Sequence, residues 1–257
     1  MFRSFVDALV SPFVVVGDWC LFAFSTLIPT VLAYFHPREV VRCLSGFVLG
    51  AMPLAFVLGV TLGAVIWMQT RGLLDRTAGA SKLLPTVLAV AVVLELAPVG
   101  AGLIVAARTG AGLGAELASM RVTEQTDALE LLGVSPLRRL IAPRIAACIV
   151  TVPLLHILTA TTALLSGFAA ESLVGGTSWL RYRELMFAEL RFAEVLAALA
   201  KTFAFGWLIG LAGCRIGLTT PGGSAGVGQA ATTSVVVASL FVLAADVVAV
   251  ALFRVVL

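Results

Sequence analysis

Five long stretches of this chain are almost free of charged side chains, and this feature restricts the possible fold more than any other. None of them holds more than one charged residue: they are residues 43–70, 83–107, 145–170, 195–214 and 231–253. A helix needs about 20 mainly apolar residues to cross the hydrocarbon core of a bilayer. Hydrophobic residues make up 60% of the 257 positions and charged residues only 12%, whereas soluble domains carry about 25% charged residues. The sequence therefore predicts an all-α integral membrane protein with five spanning helices.

The N-terminal 35 residues are also apolar, but they are interrupted. Residues 19–37 carry no charge, and Pro29 lies within them. The preceding turns place Arg3 and Asp7 among large apolar side chains, a pattern typical of amphipathic helices that lie in the membrane interface. We therefore expect residues 1–35 to form an interfacial helix, with a sixth span as the alternative.

Three charged residues lie inside the predicted spans: Glu95, Lys201 and Asp246. A charge in the hydrocarbon core costs at least a few kcal/mol, so such residues face the protein interior or a polar cavity and pair with one another. Two interpretations follow. The residues form a buried ion pair that only supports the fold, or they line a cavity and contact a polar headgroup, and one role does not exclude the other.

The segment ELASMRVTEQTDALELLGVSPLRR, residues 116–139, interrupts the apolar chain with charges of both signs. We expect Gly110–Gly114 to end the second span and a new helix to cover 116–132, because Gly133 and Pro136 follow as stop signals. This helix is either a surface linker or a docking element for a soluble partner. Its charged residues are Glu116, Arg121, Glu124, Asp127 and Glu130.

Basic residues indicate the orientation only weakly. Residues 108–144 and 215–228 lie on one side of the membrane and residues 71–82 and 171–194 on the other, and the two sides carry equal numbers of Lys and Arg. The residues are Arg108, Arg121, Arg138, Arg139, Arg144 and Arg215 against Arg71, Arg76, Lys82, Arg181, Arg183 and Arg191. Arg38 and Arg42 favour a cytoplasmic position for the 108–144 side.

The motifs of ATP sites and metal sites are missing from this sequence. No G-x-x-x-x-G-K-[ST] motif is present, so the chain has no phosphate-binding loop of its own. The four cysteines are scattered and lack the paired spacing of zinc or redox sites. We therefore expect a protein that is not itself an enzyme and that holds no metal or other cofactor.

Two blocks of the chain resemble a known family. Residues 95–144, ELAPVGAGLIVAARTGAGLGAELASMRVTEQTDALELLGVSPLRRLIAPR, and residues 213–236, GCRIGLTTPGGSAGVGQAATTSVV, are similar to the MlaE/YrbE permeases, the membrane subunits of MCE-type lipid ABC transporters. The resemblance implies a permease dimer in a bacterial inner membrane, a single permease domain over 1–257, and five spans after an interfacial helix. It also implies that residues 116–133 are a coupling helix for a separate cytoplasmic ATPase, which binds the ATP. An MCE-domain protein would lie on the opposite face, and the cargo would be phospholipid or a related lipid.

One position departs from the pattern of that family. Leu94 stands where the family commonly has an arginine before the glutamate that corresponds to Glu95. If that arginine holds a phosphate headgroup, this protein handles a different lipid or uses Lys201 or Arg42 instead. We accordingly expect Glu95, Lys201, Asp246 and Arg42 to form the lipid pathway. A secondary transporter and a membrane scaffold without an ATPase remain alternatives, although the halves of the chain show no inverted repeat.

Overall fold

The computed structural model describes residues 2–35, 37–74, 83–220 and 223–256, and it describes side chains from residue 14 to residue 253 of these ranges, except that of Leu74. All regular elements in these ranges are helical. In chain order they are α1 Phe2–Ala33, α2 Pro37–Leu74, α3 Leu84–Ala91, α4 Ala97–Val105, α5 Ala111–Val122, α6 Gln125–Leu131, α7 Ala142–Val174, α8 Trp179–Phe187, α9 Phe192–Thr219 and α10 Ser224–Val256. Three π-helical turns, Val92–Leu96, Ala106–Gly110 and Leu137–Ile141, precede α4, α5 and α7.

Six helical segments in the described ranges are long and apolar enough to cross a membrane. They are Val14–Ala33, Pro37–Leu73, Leu84–Val122, Leu137–Val174, Phe192–Thr219 and Ser224–Phe253. The last five coincide with the five predicted spans, so the prediction of an all-α membrane protein is confirmed. Val14–Ala33 meets the same criteria of length and composition, and the interfacial position of α1 therefore stays a prediction.

The contacts of α1 favour that prediction. Asp18 Oδ2 lies 3.6 Å from Arg215 Nη2, close to the end of α9, and the Arg215 guanidinium lies over the Trp19 ring at 5.4 Å. At the other end of α1, the Tyr34 hydroxyl donates a hydrogen bond to the Ala146 carbonyl oxygen, close to the start of α7 (3.1 Å). Asp18, in the middle of α1, and Tyr34, just after its end, thus contact the same end of the helical bundle, as in a helix in the membrane interface. Trp19 also packs on Phe241, farther along α10. The side chains of Arg3 and Asp7 lie outside the described part, as do Arg76 and Lys82 of the orientation argument.

The expected end of the second span at Gly110–Gly114 is wrong, because the helical segment continues to Val122. Helix α5 packs directly on α10, and a Cβ atom added to Gly114 would meet the Ala230 carbonyl oxygen at 2.7 Å. Glycine at this position therefore permits close approach of two helices. In the sequence, without knowledge of the neighbouring helix, the glycines at 110–114 resemble a helix stop.

The single helix predicted over 116–132 is also wrong. Helix α5 ends at Val122, and Glu124 adopts a left-handed backbone (φ 57°) before the short helix α6 begins at Gln125. The Thr123 hydroxyl donates to the Ser119 carbonyl oxygen (2.9 Å), a local bond that competes with continuation of a helix. The predicted stop at Gly133 is confirmed, and this glycine has a φ of +73°.

Helix α7 lies at the centre of the bundle, between α2 and α9. Glycines allow α2 and α9 each to approach the backbone of α7 closely. A Cβ on Gly59 of α2 would meet the Thr159 carbonyl oxygen at 2.6 Å, and a Cβ on Gly206 of α9 would meet the Ile149 Cα at 2.6 Å. This packing fixes α9, which carries Lys201, relative to the rest of the bundle.

The short helix α8 covers the end of the bundle opposite α6. Tyr182 is fully buried there against Phe168 (ring centroids 5.3 Å apart). Burial raises the pKa of Tyr182 to about 12, with a smaller contribution from the negative charge of Glu171. Glu171 itself accepts hydrogen bonds from the Trp67 indole (2.8 Å) and from Arg71 (2.9 Å). These polar contacts join α2 and α7 at this end, and the packing of Tyr182 on Phe168 joins α8 to α7.

Candidate functional site

Lys201, Glu95 and Asp246 meet inside the bundle although they come from three separate helical segments. Lys201 Nζ donates to Glu95 Oε2 at 2.7 Å and to Asp246 Oδ1 at 2.9 Å. The Lys201 side chain is only 2% exposed. An ammonium buried to this degree requires charged or hydrogen-bonding partners, and the two carboxylates supply them.

The position of Glu95 has a local cause in the sequence. Pro98 has no N–H, so it cannot form the α-helical hydrogen bond to the Leu94 carbonyl. The helix instead widens into the π turn Val92–Leu96, in which the Ala97 N–H donates to the Val92 carbonyl oxygen. Such turns frequently occur at functional sites. Glu95 belongs to this turn, and its carboxylate lies beside the Lys201 ammonium.

A cavity of about 660 Å³ borders this charge cluster. Its volume lies in the range typical of small-ligand sites, and its walls are mainly aliphatic and aromatic. The lining residues are Leu94, Glu95, Glu194, Ala197, Ala198, Lys201, Val250 and Phe253. Five of these residues were not predicted from the sequence: Glu194, Ala197, Ala198, Val250 and Phe253. Glu194 lies in the first turn of α9, where a carboxylate also has the ordinary role of stabilising the helix dipole.

The cavity lies nearer to the α8 end of the bundle than to the α6 end. At about 1.5 Å of rise per residue, Glu95 is about 16 Å from Leu84 and about 40 Å from Val122. The sequence placed Glu95 near the middle of its span because it ended that span too early. Glu194 and Phe253 lie close to the same end, at the beginning of α9 and towards the end of α10.

Arg42 does not contribute to this cavity. It lies close to the start of α2 and lines a separate groove of about 470 Å³ at the α6 end of the bundle. Two ion pairs border this groove: Arg144 with Glu116 (2.7 Å) and Arg139 with Glu39. The structure therefore brings three of the four predicted pathway residues together and separates the fourth.

The charged residues predicted for docking differ in their surroundings. Glu116 lies within α5 and pairs with Arg144, as described above, so it takes part in packing between spans. Arg121, Glu124, Asp127 and Glu130 are exposed, at the end of α5 and around α6. Leu131 and Leu132 follow at the end of α6, with 89% and 77% of each residue exposed. A short element that exposes both leucines and carboxylates is suited to contact another protein.

Comparison with known proteins gives consistent matches. The family model described as "Permease MlaE" matches residues 40–252. A protein named probable ABC transporter permease from Rickettsia typhi is 32% identical over 228 residues, which cover 89% of this chain and 88% of the relative. A Synechocystis protein with the same description is 36% identical over 162 residues, 63% of this chain and 62% of the relative.

A plant protein is similar over a shorter region. The chloroplastic protein Trigalactosyldiacylglycerol 1 of Arabidopsis thaliana is 35% identical over 168 residues, which cover 65% of this chain and 48% of that protein. Its name refers to a glycolipid. The similarity thus extends from bacteria to chloroplasts.

Proposed function

This chain belongs to the MlaE permease family, and we propose that it is the membrane subunit of an ATP-driven lipid transporter. In this function it moves phospholipid or a related lipid between the inner membrane of a bacterium and an MCE-domain partner protein. The observation that carries the proposal is the Lys201 cluster beside a cavity with mainly apolar walls. Acyl chains require apolar walls, and a headgroup requires a few fixed polar groups.

The proposal assigns ATP hydrolysis to a separate cytoplasmic subunit. The chain has no phosphate-binding loop motif, and relatives over most of its length are named as ABC transporter permeases. The exposed α6 region is the docking element that the proposal requires. Glu124 supports this role, because a non-glycine residue with positive φ is strained, and such strain is often found at functional positions.

The proposal also includes a second permease chain. A dimer would place two Lys201 cavities in one complex, each nearer to the α8 end than to the α6 end. The MCE-domain partner would then cover the α8 end, while the ATPase would contact α6 at the other end. ATP-driven movement at α6 would reach the cavity through α5 and α9, which pack against each other.

Purification and reconstitution test this function. An affinity-tagged chain should bring an ATPase subunit with it from a bacterial membrane. The reconstituted complex should transfer labelled phospholipid to or from an acceptor only when ATP is hydrolysed. Transfer driven by an ion gradient without ATP would favour a secondary transporter, and a chain that transfers no lipid in the intact complex would favour a scaffold.

A further inference from the structure

Glu95 and Lys201 of the charge cluster both line the cavity, but the Glu95 carboxylate is far more accessible than the Lys201 ammonium. The side chain of Glu95 is 47% exposed and that of Asp246 18%, whereas that of Lys201 is 2% exposed. A ligand in the cavity therefore meets hydrogen-bond acceptors with negative charge. From this geometry we infer that the cavity selects amphiphiles with an ammonium group at the polar end over amphiphiles with a net negative charge. This inference rests on the proposed function and specifies its substrate class.

The other charged residues around the cavity support the same inference. Glu194 adds another carboxylate to the lining, and no salt-bridge partner for it is found in the described part of the chain. Asp246 pairs with Lys201 but is not a lining residue. Glu95, Glu194 and Asp246 together place three carboxylates around one ammonium, an excess of two negative charges among the described residues. Among the side chains that the structure describes, Lys201 is the only basic residue of the lining, and both of its carboxylate partners are within hydrogen-bonding distance. The ammonium has a third N–H, but the Lys201 side chain is only 2% exposed, so little of it is accessible to a phosphate.

An ammonium group, by contrast, forms charge-assisted hydrogen bonds with Glu95 and Glu194 without disturbing Lys201. In a zwitterionic headgroup the ammonium is at the tip, so it can approach these carboxylates while the phosphate stays farther away. Like charges brought close together repel each other. A headgroup with a net negative charge and no ammonium is repelled by these carboxylates and forms no compensating hydrogen bond with them.

The walls of the cavity show why the ligand is an amphiphile rather than a soluble amine. Leu94, Ala197, Ala198, Val250 and Phe253 supply apolar surface on three helical segments. Leu94 directly precedes Glu95 in the chain and carries no charge. The acyl chain of a lipid packs against these side chains, a contact that a deacylated headgroup lacks.

The experiment measures the lipids that the assembled transporter binds in nanodiscs with equal amounts of phosphatidylethanolamine and phosphatidylglycerol. The ratio of the two lipids bound to the wild type is compared with the ratio for Leu94→Arg, which adds a cation to the lining. Leu196→Arg is the matched control, because Leu196 is an exposed residue of α9 outside the lining. Glu194→Gln is a milder variant that leaves the Lys201 cluster intact. Glycerophosphoethanolamine, the deacylated headgroup, serves as a soluble competitor.

We expect the wild type and Leu196→Arg to retain more phosphatidylethanolamine than phosphatidylglycerol. Leu94→Arg should lower this ratio about tenfold, the effect of one charge-assisted hydrogen bond, and Glu194→Gln should lower it less. The soluble competitor should not displace the lipid. Three results would each overturn the inference while leaving the proposed lipid transport in place. They are equal ratios in the wild type and in Leu94→Arg, a wild-type preference for phosphatidylglycerol, and displacement of the lipid by the competitor. Absence of any bound lipid, together with absence of ATP-driven transfer, would overturn the proposed function as well.

Discussion

The Lys201 ammonium lies 2.7 Å from the Glu95 carboxylate although 106 positions separate the two residues in the chain. The sequence left two roles open for these charges, a structural ion pair and a cavity lining. The geometry contains elements of both, because Lys201 is buried between two carboxylates while Glu95 is partly exposed to the cavity. Separating the roles requires variants that change the charge balance in steps.

Replacement of Lys201 by methionine should destabilise the protein by about 3–5 kcal/mol, because it leaves Glu95 and Asp246 close together without their cation. The midpoint of thermal unfolding of the purified protein, followed by tryptophan fluorescence, measures this effect. Glu194→Gln is the control, since Glu194 lines the same cavity and does not contact Lys201 in the described structure. An unchanged midpoint for Lys201→Met would contradict a stabilising role of the cluster.

Neutralising the whole cluster should separate stability from transport. In Lys201→Met with Glu95→Gln and Asp246→Asn, no unpaired buried charge remains, so most of the lost stability should return. Lipid transport should remain low, because the charges that orient the headgroup are absent. Measurement of ATP-driven lipid transfer by the assembled complex checks this result. Transfer at the wild-type rate would assign the cluster a structural role alone.

Reversal of charge at Glu124 and Asp127 should weaken the binding of the ATPase subunit at least tenfold. Both side chains are exposed at α6, and a hydrogen bond to a charged group contributes about 1.5–3 kcal/mol. Co-purification of the ATPase with Glu124→Lys/Asp127→Lys measures the effect. Glu184→Lys/Glu189→Lys makes the same charge change around α8, at the opposite end of the bundle, and should bind the ATPase normally. If the α6 variant still binds the ATPase and transports lipid like the wild type, α6 is a surface linker.

Sequence reasoning could identify the spans and the charge cluster for a physical reason. Long uncharged stretches are compatible with few structures other than membrane helices, and the cost of intramembrane charge forces Glu95, Lys201 and Asp246 to find partners. These two constraints act on residue types alone. They do not depend on the packing of neighbouring helices.

The errors came from residues whose effect depends on those neighbours. Gly114 resembles a helix stop in the sequence, but its missing side chain makes room for the backbone of α10. The left-handed backbone of Glu124 has no distinct signal in the sequence. Pro98 predicts a missing helical hydrogen bond but not the π turn that results from it. The different exposure of Lys201 and Glu95, from which the ligand preference follows, also arises only when the three helical segments are assembled.

Two glycines of α2 should differ in their tolerance of alanine. In Gly59→Ala the new methyl group would meet the Thr162 side chain and the backbone of Thr159, so α2 and α7 must move apart. We expect a loss of stability of about 1–3 kcal/mol. Gly46→Ala places a methyl group where no atom lies within 4 Å and should have little effect. Thermal unfolding of both variants decides the point, and equal loss from the two would argue against the close packing of α2 on α7.

Labelling with a membrane-impermeant thiol reagent should establish the orientation of the bundle and the position of α1. Cys20 is exposed and Cys43 is partly exposed, so single cysteines are introduced into a variant without native cysteines. With the α6 end in the cytoplasm, Ser135→Cys and Ser224→Cys should be protected from reagent outside the intact inner membrane. Ser178→Cys, which precedes α8, should react and serves as the positive control.

Ser4→Cys then tests α1 in the same membranes. An interfacial helix keeps Ser4 on the side of Ser135, so the two positions should be protected together and should react together after the membrane is permeabilised. A spanning α1 would place Ser4 on the outer side, where it would react like Ser178→Cys. Since Asp18 and Tyr34 both contact the α6 end of the bundle, we expect protection of Ser4. Reaction of Ser135 and Ser224 in intact membranes would instead reverse the orientation of the whole protein.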